Sequence, residues 1–217
     1  MNNKRAILVF TRAARREKKR FGFSQASDRR LAHFLVQRTI ECAKACSDVA
    51  DVVVIDDTQQ RGVSFGERIE SAVSDVKAMG YERVVLIGTD TPELTEADLR
   101  LAVENSESVV GPSMDGGFYL FGFDTSDANV LHGLPWQSDT LLTVLTRRLS
   151  SPIRLKYRRD LDDAIDVAKT SALRELFFET TGCIFDASPL PTPLTADLPS
   201  QIALSCHLSR GPPGMTP

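Results

Sequence analysis

The chain has 217 residues, 42% hydrophobic and 25% charged, which suits one globular core and leaves too little length for two full domains. Its formal net charge of −3 is unevenly spread: residues 1–38 carry eleven Lys or Arg against Glu17 and Asp28, a net of +9, so the remainder sums to −12. This excludes a uniformly basic binder of nucleic-acid polymers, and no apolar run approaches the roughly 20 residues of a membrane span.

Lys4 and Arg5 precede the apolar run Ala6–Phe10, which stops at Thr11 and Arg12. That run is too short for a signal peptide and predicts a buried strand. A basic segment, Thr11–Phe23, follows it. Leu31, Leu35, Ile40 and Ala43 then recur at helical spacing. Val52–Ile55 predicts a second strand. Ser64 with Glu67 has the form of a capping box opening a second helix, which Gly80 would end. Val84–Ile87 predicts a third strand, and Thr95 with Asp98 opens a third helix in the manner of a capping box. Val109–Val110 predicts a fourth strand. Gly111–Gly117 is expected to be a turn, and Phe118–Phe123 a strand of either direction. A helix is expected after Ser138, a strand near Ile153–Tyr157, and a last helix from about Asp163 to Thr180, ending at Gly182. Short Val/Ile/Leu runs alternating with helical periods imply a doubly wound α/β fold with a mostly parallel sheet.

Seven of the eleven prolines fall between Pro189 and Pro217. The expected organisation is therefore one domain over residues 1–185 and a disordered, Pro-rich tail over 186–217. Cys42, Cys46, Cys183 and Cys206 show neither a disulfide framework nor zinc spacing and are expected to be reduced thiols of a cytoplasmic protein.

Four segments carry candidate chemistry. GTDTPEL, Gly88–Leu94, follows the third strand, where open α/β sheets bind ligands. Asp90 is placed either to hold a divalent ion shared with phosphates or to cap the turn before Pro92. GPSMDGGFYLFGF, Gly111–Phe123, sets Asp115 beside Gly116 and Gly117. It reads either as a close approach of backbone to ligand or as an Asp-Gly hairpin. In RRDLDD, Arg158–Asp163, Asp160 and Asp162 either supply a second metal ligand or complement a helix dipole. The basic first loop either clamps phosphates or is a solvated face. Gly62–Gly66 also matches the G-x-S-x-G of a serine hydrolase. Polar residues separate it from the strand ending at Ile55, however, so Ser64 is expected to be a helix cap.

In order along the chain, RGVSFGERI at 61–69, GTDTPEL at 88–94, GPSMDGGFYLFGF at 111–123, PWQSDT at 135–140 and DLDD at 160–163 resemble a known family. It is the small bacterial GT-A-fold, nucleotide-diphospho-sugar-transferase-like group that includes arsenosugar-biosynthesis-type glycosyltransferases. The resemblance runs from about Ala6 to Val167. It implies a three-layer α/β/α sandwich and a metal-dependent transferase acting on a nucleotide-activated donor, foremost glycosyl transfer from a nucleotide sugar to a small-molecule acceptor. The alternatives are nucleotidyl transfer to a phosphorylated acceptor, or a non-catalytic nucleotide-binding member. It further implies Mg or Mn at Asp90 and Asp162, and Asp115 as the base. Substrate contacts would come from Arg12, Lys18, Lys19, Glu67, Arg68, Thr89, Gly116, Gly117 and Trp136. Neither Gly nor Pro lies between Thr11 and Arg20, so charged side chains there would replace the backbone contacts that relatives make to phosphate.

Overall fold

The apolar runs become strands because each is short, carries β-branched or aromatic residues and is flanked by polar turns. A computed structural model describes residues 4–12, 21 and 25–162. The expected last helix and the Pro-rich segment lie outside the described residues. The order is β1 (Arg5–Phe10), α1 (Gln25–Lys44), β2 (Asp51–Ile55), α2 (Phe65–Ala78), β3 (Arg83–Ile87), α3 (Glu96–Glu104), β4 (Val109–Pro112), β5 (Phe118–Asp124), a 3-10 turn (Thr125–Leu131), α4 (Leu141–Arg148) and β6 (Ile153–Arg154). The chain divides into two compact units; Asp162 falls in the second, and Ala32–Leu161, with β1, Thr11 and Arg12, in the first.

In the first unit the six strands form one sheet in the order β2-β1-β3-β5-β4-β6. The β1–β2, β1–β3 and β4–β6 pairs are parallel, and β5 alone runs opposite, pairing antiparallel with both β3 and β4. The sheet is thus mostly parallel, and the strand whose direction the sequence leaves open is the exceptional one. Gly111 and Pro112, expected in a turn, instead extend β4, because the β4–β5 hairpin keeps pairing as far as Phe118. The last strand is shorter than expected, and beyond it Arg158 makes an isolated parallel bridge to Ser113.

Alternate side chains of each strand feed opposite faces. Ala6, Leu8, Val84, Leu86, Phe121 and Phe123 pack against Ile69, Val73 and Val76 of α2 and Leu141 and Leu145 of α4. Ile7, Val9, Val85, Ile87 and Leu120 pack against Ala43 of α1 and Leu99, Ala102 and Val103 of α3. Helices therefore cover both faces, and each fully buried aliphatic contributes about 1.5–3 kcal/mol. A charge is buried beneath α3. Arg83, 4% exposed, donates to the carbonyls of Ala102 and Glu107 and to Asp124 Oδ1. It thereby satisfies the carboxyl end of α3, where a cation is favoured.

From β1 the chain proceeds to β2 on one side, and from β3 to β4 on the other. The carboxyl ends of β1 and β3 flank the point where the winding reverses, the place where doubly wound sheets take ligands.

Candidate functional site

Thr11, directly after β1, is buried and tied on three sides. Its N–H donates to Ile55 O (3.1 Å), its carbonyl accepts from Gln60 Nε2 (2.6 Å), and its hydroxyl meets Thr89 Oγ1 at 3.2 Å. Thr89 thus joins the ends of β1 and β3. Asp90 follows, and its carboxylate folds back so that a Cβ on Gly88 would lie 3.1 Å from Oδ1. The Asp90 carbonyl accepts from Leu161 N–H (2.7 Å), and the buried Thr91 hydroxyl donates to Asp160 Oδ1 (2.5 Å).

The second segment is the β4–β5 hairpin. Ser113 N–H donates to Gly117 O (3.1 Å), and Gly116 N–H to Ser113 O (3.3 Å). Gly116 has φ +89°, and a Cβ there would collide with the Asp139 backbone; its carbonyl accepts from Leu142 N–H at 2.9 Å. Glycine is required here by the packing of the loop before α4. Asp115 is exposed at the turn. Its Oδ1 accepts from Gly117 N–H (3.0 Å) and from the Ser113 hydroxyl.

The third segment is 158–161. Arg158 N–H donates to Pro112 O, and Arg158 O accepts from Met114 N–H, each at 3.1 Å. Its guanidinium pairs with Asp98 Oδ2 at 2.6 Å, both side chains 15% exposed. So anchored, the segment carries Asp160 in toward Thr91 and Ser113. Burial pushes the Asp160 carboxyl up to about 7, the negative charges of Asp90 and Asp115 add to the rise, and hydrogen bonds from Thr91 and Ser113 offset part of it. Two carboxylates from separate segments therefore act on that of Asp160 at the carboxyl end of the sheet. Among the described residues, no group of three or more His, Cys, Asp or Glu is arranged to hold a metal ion.

The other expected contact residues lie as follows. Ser64 caps α2, accepting from Glu67 N–H at 3.1 Å, and Glu67 Oε2 accepts in return from Val63 and Ser64 N–H. Those two bonds hold the Glu67 carboxyl below its ordinary range. Ser64 is a cap, not a nucleophile elbow. The Arg68 guanidinium lies 5.8 Å from the Phe65 ring. Trp136 packs edge-on to Phe65 (5.6 Å) and Phe118 (5.9 Å) and covers Gly66, where a Cβ would sit 2.5 Å from the indole. Its buried Nε1 has no hydrogen-bond partner. Arg12 is exposed. Lys18 and Lys19 lie outside the described residues. Asp162 is exposed and belongs to the second unit.

Sequence reasoning weighed Asp160 beside Asp162 but passed over Ser113. An acid in a run of acids carries no mark of burial, and a serine between Pro112 and Met114 carries no mark of its partners. The contacts that single them out, with Thr91 and Asp115, form only on folding.

A family profile described as "Uncharacterized protein conserved in bacteria (DUF2064)" matches residues 24–138. Among solved structures, a candidate nucleotide-diphospho-sugar transferase from Desulfovibrio desulfuricans G20 is 24% identical. The match covers 78% of this chain and 90% of that one, with a TM-score of 0.65. The chain shares this fold. Rv0371c from Mycobacterium tuberculosis H37Rv, solved as a complex with manganese, is 18% identical over 76% of this chain and 97% of its own (TM-score 0.45). A nucleotidyl transferase from Methanothermobacter thermautotrophicus is 15% identical over 82% and 99% (TM-score 0.48). No curated protein matches the chain. No helix among the described residues is long and apolar enough to cross a membrane.

Proposed function

The chain belongs to the DUF2064 family, and we propose that it is a transferase taking a nucleotide-activated donor, foremost a nucleotide sugar, between the ends of β1 and β3. The observation that carries this reading is the convergence of Asp90, Asp115 and Asp160 beside the Thr11–Thr89 link. A half-buried acid that feels the negative charge of two other carboxylates is an arrangement that a divalent cation relieves. Magnesium commonly takes one or two carboxylates and completes its shell with phosphate oxygens and water. Asp90 with Asp160 fits that description, and we assign Asp160 the second-acid role that the family resemblance implies for Asp162. A cation held there supplies charge neutralisation for a departing diphosphate.

The remaining work falls to the chain's own groups. Arg12 would supply positive charge for the phosphates, Thr89, Arg68, Gly116, Gly117 and Trp136 would shape the pocket, and Lys18 and Lys19 remain candidate phosphate contacts on their charge alone. Asp115, exposed on its turn, takes the proton of an acceptor hydroxyl as the acceptor oxygen bonds to the sugar carbon and the diphosphate oxygen leaves. The protein is expected to work as a small-molecule enzyme, with no nucleic-acid polymer among its partners.

Two measurements test this. In a thermal-shift screen with sugar nucleotides, nucleoside triphosphates, Mg and Mn, stabilisation should require the ion and grow with ligand concentration. Asp90→Ala should lose the ion-dependent part and stay folded. In turnover assays a released nucleoside diphosphate identifies glycosyl transfer, and pyrophosphate identifies nucleotidyl transfer. Asp115→Asn should keep donor affinity and lose at least about a hundredfold in turnover. Nucleotide stabilisation indifferent to metal, or undiminished turnover in Asp115→Asn, would refute the corresponding assignment.

A further inference from the structure

Asp115 sits on a solvent-facing turn, where an aspartate side chain ordinarily samples several rotamers. A general base must instead hold one oxygen within about 2.6–3.2 Å of the proton it takes. What fixes this carboxylate is a neighbour that the chain buries: Ser113 is 1% exposed, and its hydroxyl donates to Asp115 Oδ1. Gly117 N–H donates to the same oxygen at 3.0 Å. Both bonds fall on Oδ1, and a carboxylate oxygen has about two lone-pair sites. The oxygen left for an incoming proton is Oδ2.

Ser113 is itself rigidly placed. Its N–H pairs with Gly117 O, it bridges to Arg158 in parallel register, and Arg158 is paired by backbone to Pro112 and Met114. The nearby Asp160 has its own hydroxyl donor in Thr91 at 2.5 Å. The Ser113 hydroxyl also neighbours the Asp160 carboxyl, but Thr91 gives that half-buried acid a donor of its own, so the single Ser113 proton can go to Asp115.

We propose that Ser113 is a positioning residue for the base: its hydroxyl locks Asp115 through Oδ1 and so presents Oδ2 to the acceptor. This rests on the reading of Asp115 as the base. Ser113 touches neither substrate nor reacting atoms in this scheme and acts through Asp115.

The test is a double-mutant cycle on the full chain, with turnover and donor affinity measured for each member. Ser113→Ala should lose about tenfold in kcat with donor affinity within about twofold, since small misplacements of a reacting group cost up to about 10²-fold. Ser113→Cys, which keeps a weaker donor at the same position, should fall between Ser113→Ala and the parent, and it carries the test should the alanine variant melt early. In the Asp115→Asn background, Ser113→Ala should cost nothing further. Parent-like turnover in Ser113→Ala, or losses that multiply in the double mutant, would overturn the assignment while leaving Asp115 as base. Undiminished turnover in Asp115→Asn would instead remove the base itself, which is the separate failure of the reading beneath.

Discussion

Two helices of this chain open with the same local device and use it for different ends. At α2, Ser64 caps Glu67 N–H and Glu67 returns the bond; at α3, Thr95 and Asp98 do the same. The Glu67 carboxylate is spent on its own turn, receiving Val63 and Ser64 N–H. The Asp98 carboxylate also receives Arg158, sixty residues away, at 2.6 Å. One box finishes a helix. The other finishes a helix and fastens the segment that brings Asp160 to the site. A sequence signature thus fixes what a residue does locally and leaves open what else it holds.

The largest expected effect tests that asymmetry. Asp98→Ala removes the cap acceptor and strands a largely buried guanidinium whose Nε already lacks a partner. It should cost at least about 4 kcal/mol, given about 3–5 for breaking a buried pair and about 1 for a cap. That corresponds to a drop in Tm on the order of 8–16 °C for a chain of this length. Nucleotide stabilisation should fall as well, because segment 158–161 loses its anchor on α3. Urea and thermal melts with and without ligand check this, and equal costs for Asp98→Ala and Ser64→Ala would dissolve the distinction.

A middle effect comes from the acid that Arg158 helps to place. The folded-state pKa of Asp160, about 7, lies above the ordinary aspartate value of 3.8. The folded state therefore binds the proton more tightly than the unfolded chain does. The parent should lose stability as pH rises from about 4 to about 7, and the loss is complete above that window. Asp160→Asn, which keeps an oxygen for the Thr91 hydroxyl, should melt a few degrees above the parent at pH 8 and nearly level with it at pH 4. A saturating divalent ion should narrow the gap at pH 8. Melts at the two pH values decide it, and a gap that does not depend on pH would mean the site does not burden Asp160.

The same contrast explains what could be read from the chain. Strand runs such as Val84–Ile87 and both capping boxes are local patterns, and each appears in the fold. The direction of β5 and the reach of β4 into Gly111 and Pro112 depend on the partner strand, which no window of sequence contains. The 3-10 turn at Thr125–Leu131 shows no period and was not expected. Asp90 and Asp115 stand out because each lies in a turn-forming motif after an apolar run. The pairing of Arg158 with Asp98 and of Thr91 with Asp160 joins residues 60 and 69 apart, and only the sheet brings them together. Arg83 is the sharpest case, since an arginine opening a strand is ordinarily an exposed edge charge.

A smaller effect belongs to the simpler helix start. Ser64→Ala should cost about 1 kcal/mol, the usual value of an N-cap, or a Tm lower by about 2–4 °C. Ser64→Asp, which restores an acceptor at the positive end of the helix, should recover most of it. Any hydrolase activity that survives Ser64→Ala also has another origin. A loss near that of Asp98→Ala would show that this box holds more than its own turn.

The smallest effect separates the two duties assigned to Glu67. Glutamine serves as well as glutamate in a capping box, so Glu67→Gln keeps an acceptor for Val63 and Ser64 N–H. What it removes is charge at the start of α2, where a negative group is favoured. The two backbone bonds hold the parent's Glu67 carboxyl below its ordinary value of 4.5, so its charged form is the stabilising one. That contribution is present above the ordinary glutamate range and is lost as pH falls through the lower folded value. The parent should therefore melt marginally above Glu67→Gln at pH 7, and the two should converge in acid. If Glu67 only caps, donor affinity is the same in both proteins, because both of its hydrogen bonds go to its own helix start. Should the melts agree while donor affinity falls severalfold, the carboxylate reaches the ligand as well, and α2 carries the same double use that Asp98 gives α3.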